Sequence, residues 1–164
     1  MKSEVSGRGL KLHGLLKEDM VIPALESQDR EGVLKEIVRF IEIKNEALPA
    51  KNLQEKLLQR EKLGSTAVGE GFAIPHCKIK GLVDPIVLLA VSKKGVHFES
   101  LDGKPTSVFF PVIISSDNPG LNLQILAAIA YVIRRSRNLV KKICRARTAA
   151  EMLAVIREEE ERIT

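Results

Sequence analysis

Tryptophan is absent from this 164-residue chain, and aromatic residues make up only 4% of it. That scarcity argues against a sugar-stacking cleft and against an aromatic platform for single-stranded nucleic acid. Cysteine is nearly absent too. Cys77 and Cys144 form neither a disulfide framework nor a metal knuckle, and nothing calls for an oxidising compartment. No apolar run reaches the ~18 residues of a membrane-spanning helix, and no signal-peptide core stands near the start. A cytoplasmic protein is expected, serving any membrane transporter as a soluble partner. Histidine is scarce as well: His13, His76 and His97 are the only three.

What is present suits one domain. The length is close to the usual ~100–150 residues, and 45% hydrophobic with 29% charged residues is ordinary for a globular chain. The net charge of +5 can signal nucleic acid or anionic lipid. Here the basic residues are spread along the chain, an acidic run (Glu158 to Glu161) closes it, and no nucleic-acid-binding motif accompanies them. No nucleic-acid partner and no membrane insertion are expected.

Residues 1–14 mix charges with Gly7 and Gly9 and show no period, so a flexible N-terminal arm is expected there, with one domain over 15–164. Met20–Leu25 could be a strand. Ser27 and Asp29 offer caps to a helix with Val33, Leu34, Ile37, Val38 and Ile41 at helical spacing. A second helix is expected from near Pro49 or Ala50 to Arg60–Leu63, closed by Gly64. Two β-branched runs, Ile86–Val91 and Val108–Ile114, read as strands covered on both faces. Three further helices are expected: Leu121 to about Ser136, about Asn138–Ala146, and one opened by Thr148 and Glu151 in capping-box spacing. The fold class is therefore α/β, a single three-layer α/β/α domain with a mixed central sheet.

Among the histidines, His13 falls in the arm and His97 follows a turn at a strand edge. His76 differs, because Pro75 precedes it and a glycine-rich approach, Gly64 to Gly71, leads to it. Pro75 fixes its own φ and holds Ile74 extended, which presents the imidazole from a stiff backbone at a strand end. Gly69 and Gly71 permit positive φ and close backbone approach, which suits amides facing an anion. Ser65 and Thr66 add hydroxyl donors. Neutral imidazole is a competent nucleophile near pH 7, although a lone histidine after proline is more often structural. Cys77 would point to the opposite face of an extended chain, so it would not cooperate with His76. No Cys/His cluster completes a metal shell, and neither metal nor cofactor is expected.

The run Arg60-Glu-Lys-Leu-Gly-Ser-Thr-Ala-Val-Gly-Glu-Gly-Phe-Ala-Ile-Pro-His76 resembles the signature of fructose/mannitol-type IIA domains of the bacterial sugar phosphotransferase system, the nitrogen-regulatory branch above all. The similarity extends more weakly from about Leu15 to Arg157, and takes in Gly95 to Phe98 and Leu101 to Gly103. It implies a phosphotransferase in which His76 accepts a phosphoryl group from an HPr-like phosphocarrier protein. The group would pass to a IIB domain, or its presence would act as a regulatory signal towards a kinase or ion transporter. The resemblance implies a phosphate-binding role for Arg60, whose planar guanidinium suits a phosphoryl group; a solvated charge at a helix end is the plainer reading. Thr66 is counted with it as a supporting donor. One departure stands out: the family's second histidine is replaced by Asn122, which hydrogen-bonds but carries no charge. Asn122 could orient the His76 ring, touch a phosphoryl oxygen in a phosphate-binding or supporting role, or simply cap its helix. The alternative function is a regulatory binding module that keeps the fold and works without phosphorylation.

Overall fold

The computed structural model describes residues 9–46, 48 and 52–164. Fifteen elements follow one another as a helical turn α1 (Leu12–Leu15), a 3-10 turn (Glu18–Met20), β1 (Val21–Ile22), α2 (Arg30–Lys44), α3 (Leu53–Lys62), β2 (Ala67–Gly69), β3 (Phe72–Ala73), β4 (His76–Ile79), β5 (Ile86–Val87), β6 (Leu89–Val96), β7 (Thr106–Phe109), β8 (Val112–Ser115), α4 (Pro119–Arg135), α5 (Leu139–Arg145) and α6 (Ala149–Ile163).

The strands form a five-stranded sheet in the order β1-β6-β7-β3-β2 and a three-stranded sheet in the order β4-β8-β5. Parallel pairs (β1 with β6, β3 with β7, β4 with β8) alternate with antiparallel ones (β2 with β3, β6 with β7, β5 with β8). The sheets are therefore mixed, as expected. Each apolar run expected to be one strand instead serves both sheets. Ile86–Val91 is divided at Leu88, and Val108–Ile114 at Phe110–Pro111. Proline has no N–H to give a ladder, so Pro111 ends one strand where the next begins. The chain from Phe72 to Ile79 crosses the same seam at Ile74–Pro75.

Alternation along these strands feeds two cores. Phe72, Ile74, Val87, Leu89, Val108, Phe110 and Val112 pack with residues of α4, α5 and α6 on one face. Ala73, Cys77, Leu88, Ala90, Phe109 and Ile113 pack with α2 and α3 on the other. This period-two division is what a sheet buried on both faces requires, and it makes the α/β/α layering. Phe98 and Phe109 meet edge to face at 5.2 Å in the α2–α3 core, a favoured aromatic geometry.

The caps agree with the sequence in most places. Asp29 accepts from Gly32 N at the start of α2, and Thr148 accepts from Glu151 N at the start of α6. Pro23 cuts the strand expected over Met20–Leu25 to two residues, although Leu25 N still donates to Val91 O. The start of the second helix, expected near Pro49 or Ala50, lies outside the described residues, and α3 begins at Leu53.

The expected arm over 1–14 needs a correction. Residues 1–8 lie outside the described residues, but α1 is packed. Leu12 is buried, and Leu12 N and His13 N both donate to the Glu160 carboxylate, at 2.7 and 2.9 Å. The His13 ring also contacts Glu160 through Nδ1. A buried carboxylate with three donors around it holds this segment to α6.

Candidate functional site

His76 opens β4, the outer strand of the small sheet. Its surroundings follow from the alternation of backbone groups along an extended chain. The carbonyls of Ala73 and Pro75 accept from Phe110 N (2.9 Å) and Val112 N (2.8 Å), on the β7–β8 side. Ile74 faces the other way. Its N–H donates to Thr66 O at 3.0 Å, and its carbonyl meets His76 Nδ1 at 2.7 Å.

That last contact settles the ring chemistry. A carbonyl only accepts, so Nδ1 carries the proton, and neutral His76 keeps its lone pair on Nε2. Burial is the main cause that lowers the His76 pKa from its ordinary 6.5; Arg60 and Lys78 lower it further, and the Ile74 contact opposes them. The half-buried ring is thus held neutral near pH 7, the state in which imidazole is a nucleophile.

Arg60 lies in the last turn of α3 and donates through Nη1 to Gly64 O at 2.8 Å. Its positive charge lies near enough to help lower the His76 pKa, behind burial as the main cause. Thr66 is buried and does not offer its hydroxyl outward: Oγ1 donates to the Glu61 carboxylate, and Thr66 N donates to Glu61 Oε2 at 3.0 Å. Ser65 is also committed, donating to Phe98 O at 2.7 Å and accepting from Ala67 N.

Glu61 was not among the residues singled out from the sequence. It is 2% exposed, and burial is the main cause that raises its pKa, against the lowering effect of the Thr66 bonds, Arg60 and Arg30. Its signal was its place inside the quoted motif, directly after Arg60.

The helix-capping role considered for Asn122 falls to Asn118, whose side chain accepts from Leu121 N. Asn122 sits one turn into α4, 6% exposed, and its Nδ2 donates to Ser115 O at 2.6 Å. In the β4–β8 register Ser115 stands opposite Ile79, whereas His76 stands opposite Val112. The bond it makes therefore ties α4 to β8 rather than to the His76 ring.

Gly69 and Gly71 do adopt positive φ, at 94° and 88°, with Glu70 between them at 54°. The anion this turn faces belongs to the chain itself: Glu70 N donates to Asp102 Oδ2 at 2.9 Å. That bond first, then those from Ser100 and Lys104, pull the exposed Asp102 carboxyl down to about 2. Cys77 lies in the α2–α3 core, on the opposite face from the His76 ring, with its thiol pushed up by burial to about 11. His97 is exposed beside a lone bridge to Asp29. Among the described residues, no group of three His, Cys, Asp or Glu side chains is placed to hold a metal, and no helix is long and apolar enough to cross a membrane.

Fold and site thus define a three-layer α/β domain that presents one neutral histidine, with a fixed tautomer, at a sheet edge. Residues 14–159 match the family "Phosphoenolpyruvate-dependent sugar phosphotransferase system, EIIA 2". The chain belongs to that family, whose members are phosphotransfer proteins with carrier or regulatory roles. It is 34% identical over 145 residues to a nitrogen regulatory protein of Bradyrhizobium diazoefficiens, covering 87% of this chain and 92% of that one. It is 27% identical over 151 residues to the fructose-specific EIIABC component of Bacillus subtilis, where the match covers 92% of this chain but only 24% of that protein. The crystal structure of nitrogen regulatory protein IIA-Ntr from Neisseria meningitidis superposes with a TM-score of 0.79 at 25% identity, covering 88% of this chain and 97% of that one.

Proposed function

We propose that this protein is a cytoplasmic phosphoryl carrier that accepts a phosphoryl group on His76 Nε2 from an HPr-like phosphocarrier protein. The observation that carries this reading is the bond between His76 Nδ1 and the Ile74 carbonyl, because it leaves one ring nitrogen, with its lone pair, for attack. In the reaction Nε2 displaces the donor's imidazole at phosphorus; the donor nitrogen leaves with the electron pair of its P–N bond. The donor is already an activated phosphoramidate, so positioning and electrostatics are the protein's main contributions. Arg60 supplies positive charge beside the incoming group and is able to grip its oxygens once its bond to Gly64 O gives way. Thr66 supports the site from behind, through its backbone. Asn122 braces α4 and brings no charge to the transition state.

Exposed Leu63, Val68 and Leu101 stand after α3, within β2 and in the turn after Phe98, segments joined by the Ser65–Phe98 and Glu70–Asp102 hydrogen bonds. They offer the apolar rim that a docking carrier protein needs.

The destination of the phosphoryl group is a IIB domain, or the group is itself a signal read by a regulated kinase or transporter. The likeness to a nitrogen regulatory protein over almost that protein's whole length favours the signalling use. Phosphorylation then acts by placing negative charge on this edge.

Intact-mass measurement after incubation with phosphoenolpyruvate, enzyme I and HPr tests the acceptor role. One phosphoryl group on the wild type and none on His76→Ala is the expected result. No added mass, with HPr itself phosphorylated, would overturn it in favour of a binding module that works without phosphorylation.

A further inference from the structure

We propose that Glu61 is a positioning residue for His76, fixing the tautomer and aim of the imidazole from inside the protein through a relay of backbone hydrogen bonds. The proposal rests on the reading of His76 as the phosphoryl acceptor.

The relay has three links. Glu61 holds Thr66 at two points, its N–H and its hydroxyl. The Thr66 carbonyl takes the N–H of Ile74 at 3.0 Å. The Ile74 carbonyl takes the Nδ1 proton of His76 at 2.7 Å. A buried carboxylate in α3 is thereby connected to the ring that opens β4, although neither touches the other.

Each link lacks a ready substitute. Glu61 and Thr66 are 2% and 5% exposed, so water does not freely replace their bonds. Thr66 lies just before β2, whose register with β3 shifts between Ala67 and Gly69, so the ladder alone fixes its carbonyl loosely. The Ile74 carbonyl belongs to a bond to proline, so no N–H on its own peptide unit fastens that plane to a neighbouring strand. What orients Ile74 on this side is its N–H bond to Thr66, and what orients Thr66 is Glu61. A simple structural carboxylate would need only to close the turn after α3. This one closes the turn at the residue whose carbonyl receives the N–H of Ile74, the residue that holds the His76 Nδ1 proton.

The experiment compares wild type, Glu61→Ala and Glu61→Gln by two readouts. The first is the pair of His76 ring 15N shifts, which report the tautomer and need no phosphoryl donor. The second is the saturating rate of phosphoryl uptake from phosphorylated HPr, with the half-saturating HPr concentration. The expected result for folded Glu61→Ala is a ring that mixes Nδ1–H with Nε2–H. Its saturating rate falls about ten- to hundredfold, the scale of a misplaced reacting group. Half-saturation stays within about twofold, because Glu61 is buried away from any docking partner. Glu61→Gln keeps one acceptor for Thr66 N and is expected to keep the Nδ1–H ring and most of the rate.

Unchanged ring shifts in folded Glu61→Ala overturn the proposal, as does a Gln variant as impaired as the Ala variant. If Glu61→Ala does not fold, Glu61→Leu takes its place, because it fills the buried volume and removes both acceptors for Thr66. A shift towards Nε2–H then supports the relay, and an unchanged ring overturns it. A wild type that takes up no phosphoryl group defeats the acceptor reading while the ring shifts still decide the relay.

Discussion

Replacing Glu160 with glutamine should destabilise the protein far more than the same change at its neighbour Glu161. Glu160 is 2% exposed, and its two oxygens receive Leu12 N at 2.7 Å and His13 N at 2.9 Å. Glutamine keeps the shape but turns one acceptor into a donor. One of those N–H groups then faces another N–H, and the charge that strengthened both bonds is lost. An unsatisfied buried donor costs about 1–3 kcal/mol, so the expected loss is about 2 kcal/mol. For a chain of this size each kcal/mol moves Tm by about 2–4 °C, which gives a fall of about 4–8 °C. Glu161 is exposed, and Glu161→Gln should stay within about 0.5 kcal/mol. Paired thermal and urea denaturation of the two variants decides the matter. A Glu160→Gln protein as stable as Glu161→Gln would refute the reasoning and mean that the Glu160 bonds to Leu12 and His13 do not hold α1 in place.

Four other outcomes are expected. The His76 pKa is lowered from 6.5, so the unfolded chain binds its proton more readily as pH falls; the histidine's contribution to stability is present above about pH 6.5 and is lost below it. An NMR titration should therefore show His76 neutral to lower pH in the folded protein than in the urea-unfolded chain, and coincident titration of the two states would contradict this. Asp102 is depressed from 3.8 to about 2, so its contribution holds above pH 3.8 and fades as pH falls through 2; Asp102→Ala should flatten the acid limb of a stability–pH curve. Cys77, with its thiol at about 11, should resist maleimide at pH 8 until denaturant is added, and rapid native labelling would show that the sheet opens there. Asn122→Ala should cost about 1 kcal/mol through the lost bond to Ser115 O and leave the His76 ring shifts unchanged; a moved ring would mean that Asn122 orients it after all.

Much of this architecture was legible because local rules and burial agree. Asp29 and Thr148 cap the helices they were expected to cap, and the strongly apolar runs are core strands. The sheet seam was not legible, because Leu88 and Phe110–Pro111 interrupt pairing without interrupting hydrophobicity. The bounds of β2, β3 and β4 were not legible for a different reason. These strands are two to four residues long, within or just after a glycine-rich stretch, so no period could form, and only their pairing makes them strands.

At the site, His76 and its stiff approach were readable from Pro75. The fates of Thr66 and Gly69–Gly71 were not. Donors that looked available for a ligand are taken by Glu61 and Asp102, carboxylates 5 and 32 residues away in sequence. The acidic run at the chain's end misleads in a similar way. Glu159 and Glu160 turn inward with Met152 and Ile156 on the buried side of α6, and each finds a partner there. Composition reports four charges and cannot say which of them point at water.

The pairing of α1 with α6 brings the first and last described elements of the domain side by side. A unit whose ends meet behaves like a bead with both holes on one side. Neighbouring sequence can be strung onto it, or the unit spliced into a longer chain, without stretching the fold. It also tolerates the reverse operation: joining the ends with a short linker and opening a surface loop elsewhere should give a permuted chain with the same sheet and the same histidine. Geometry of that kind makes the domain portable.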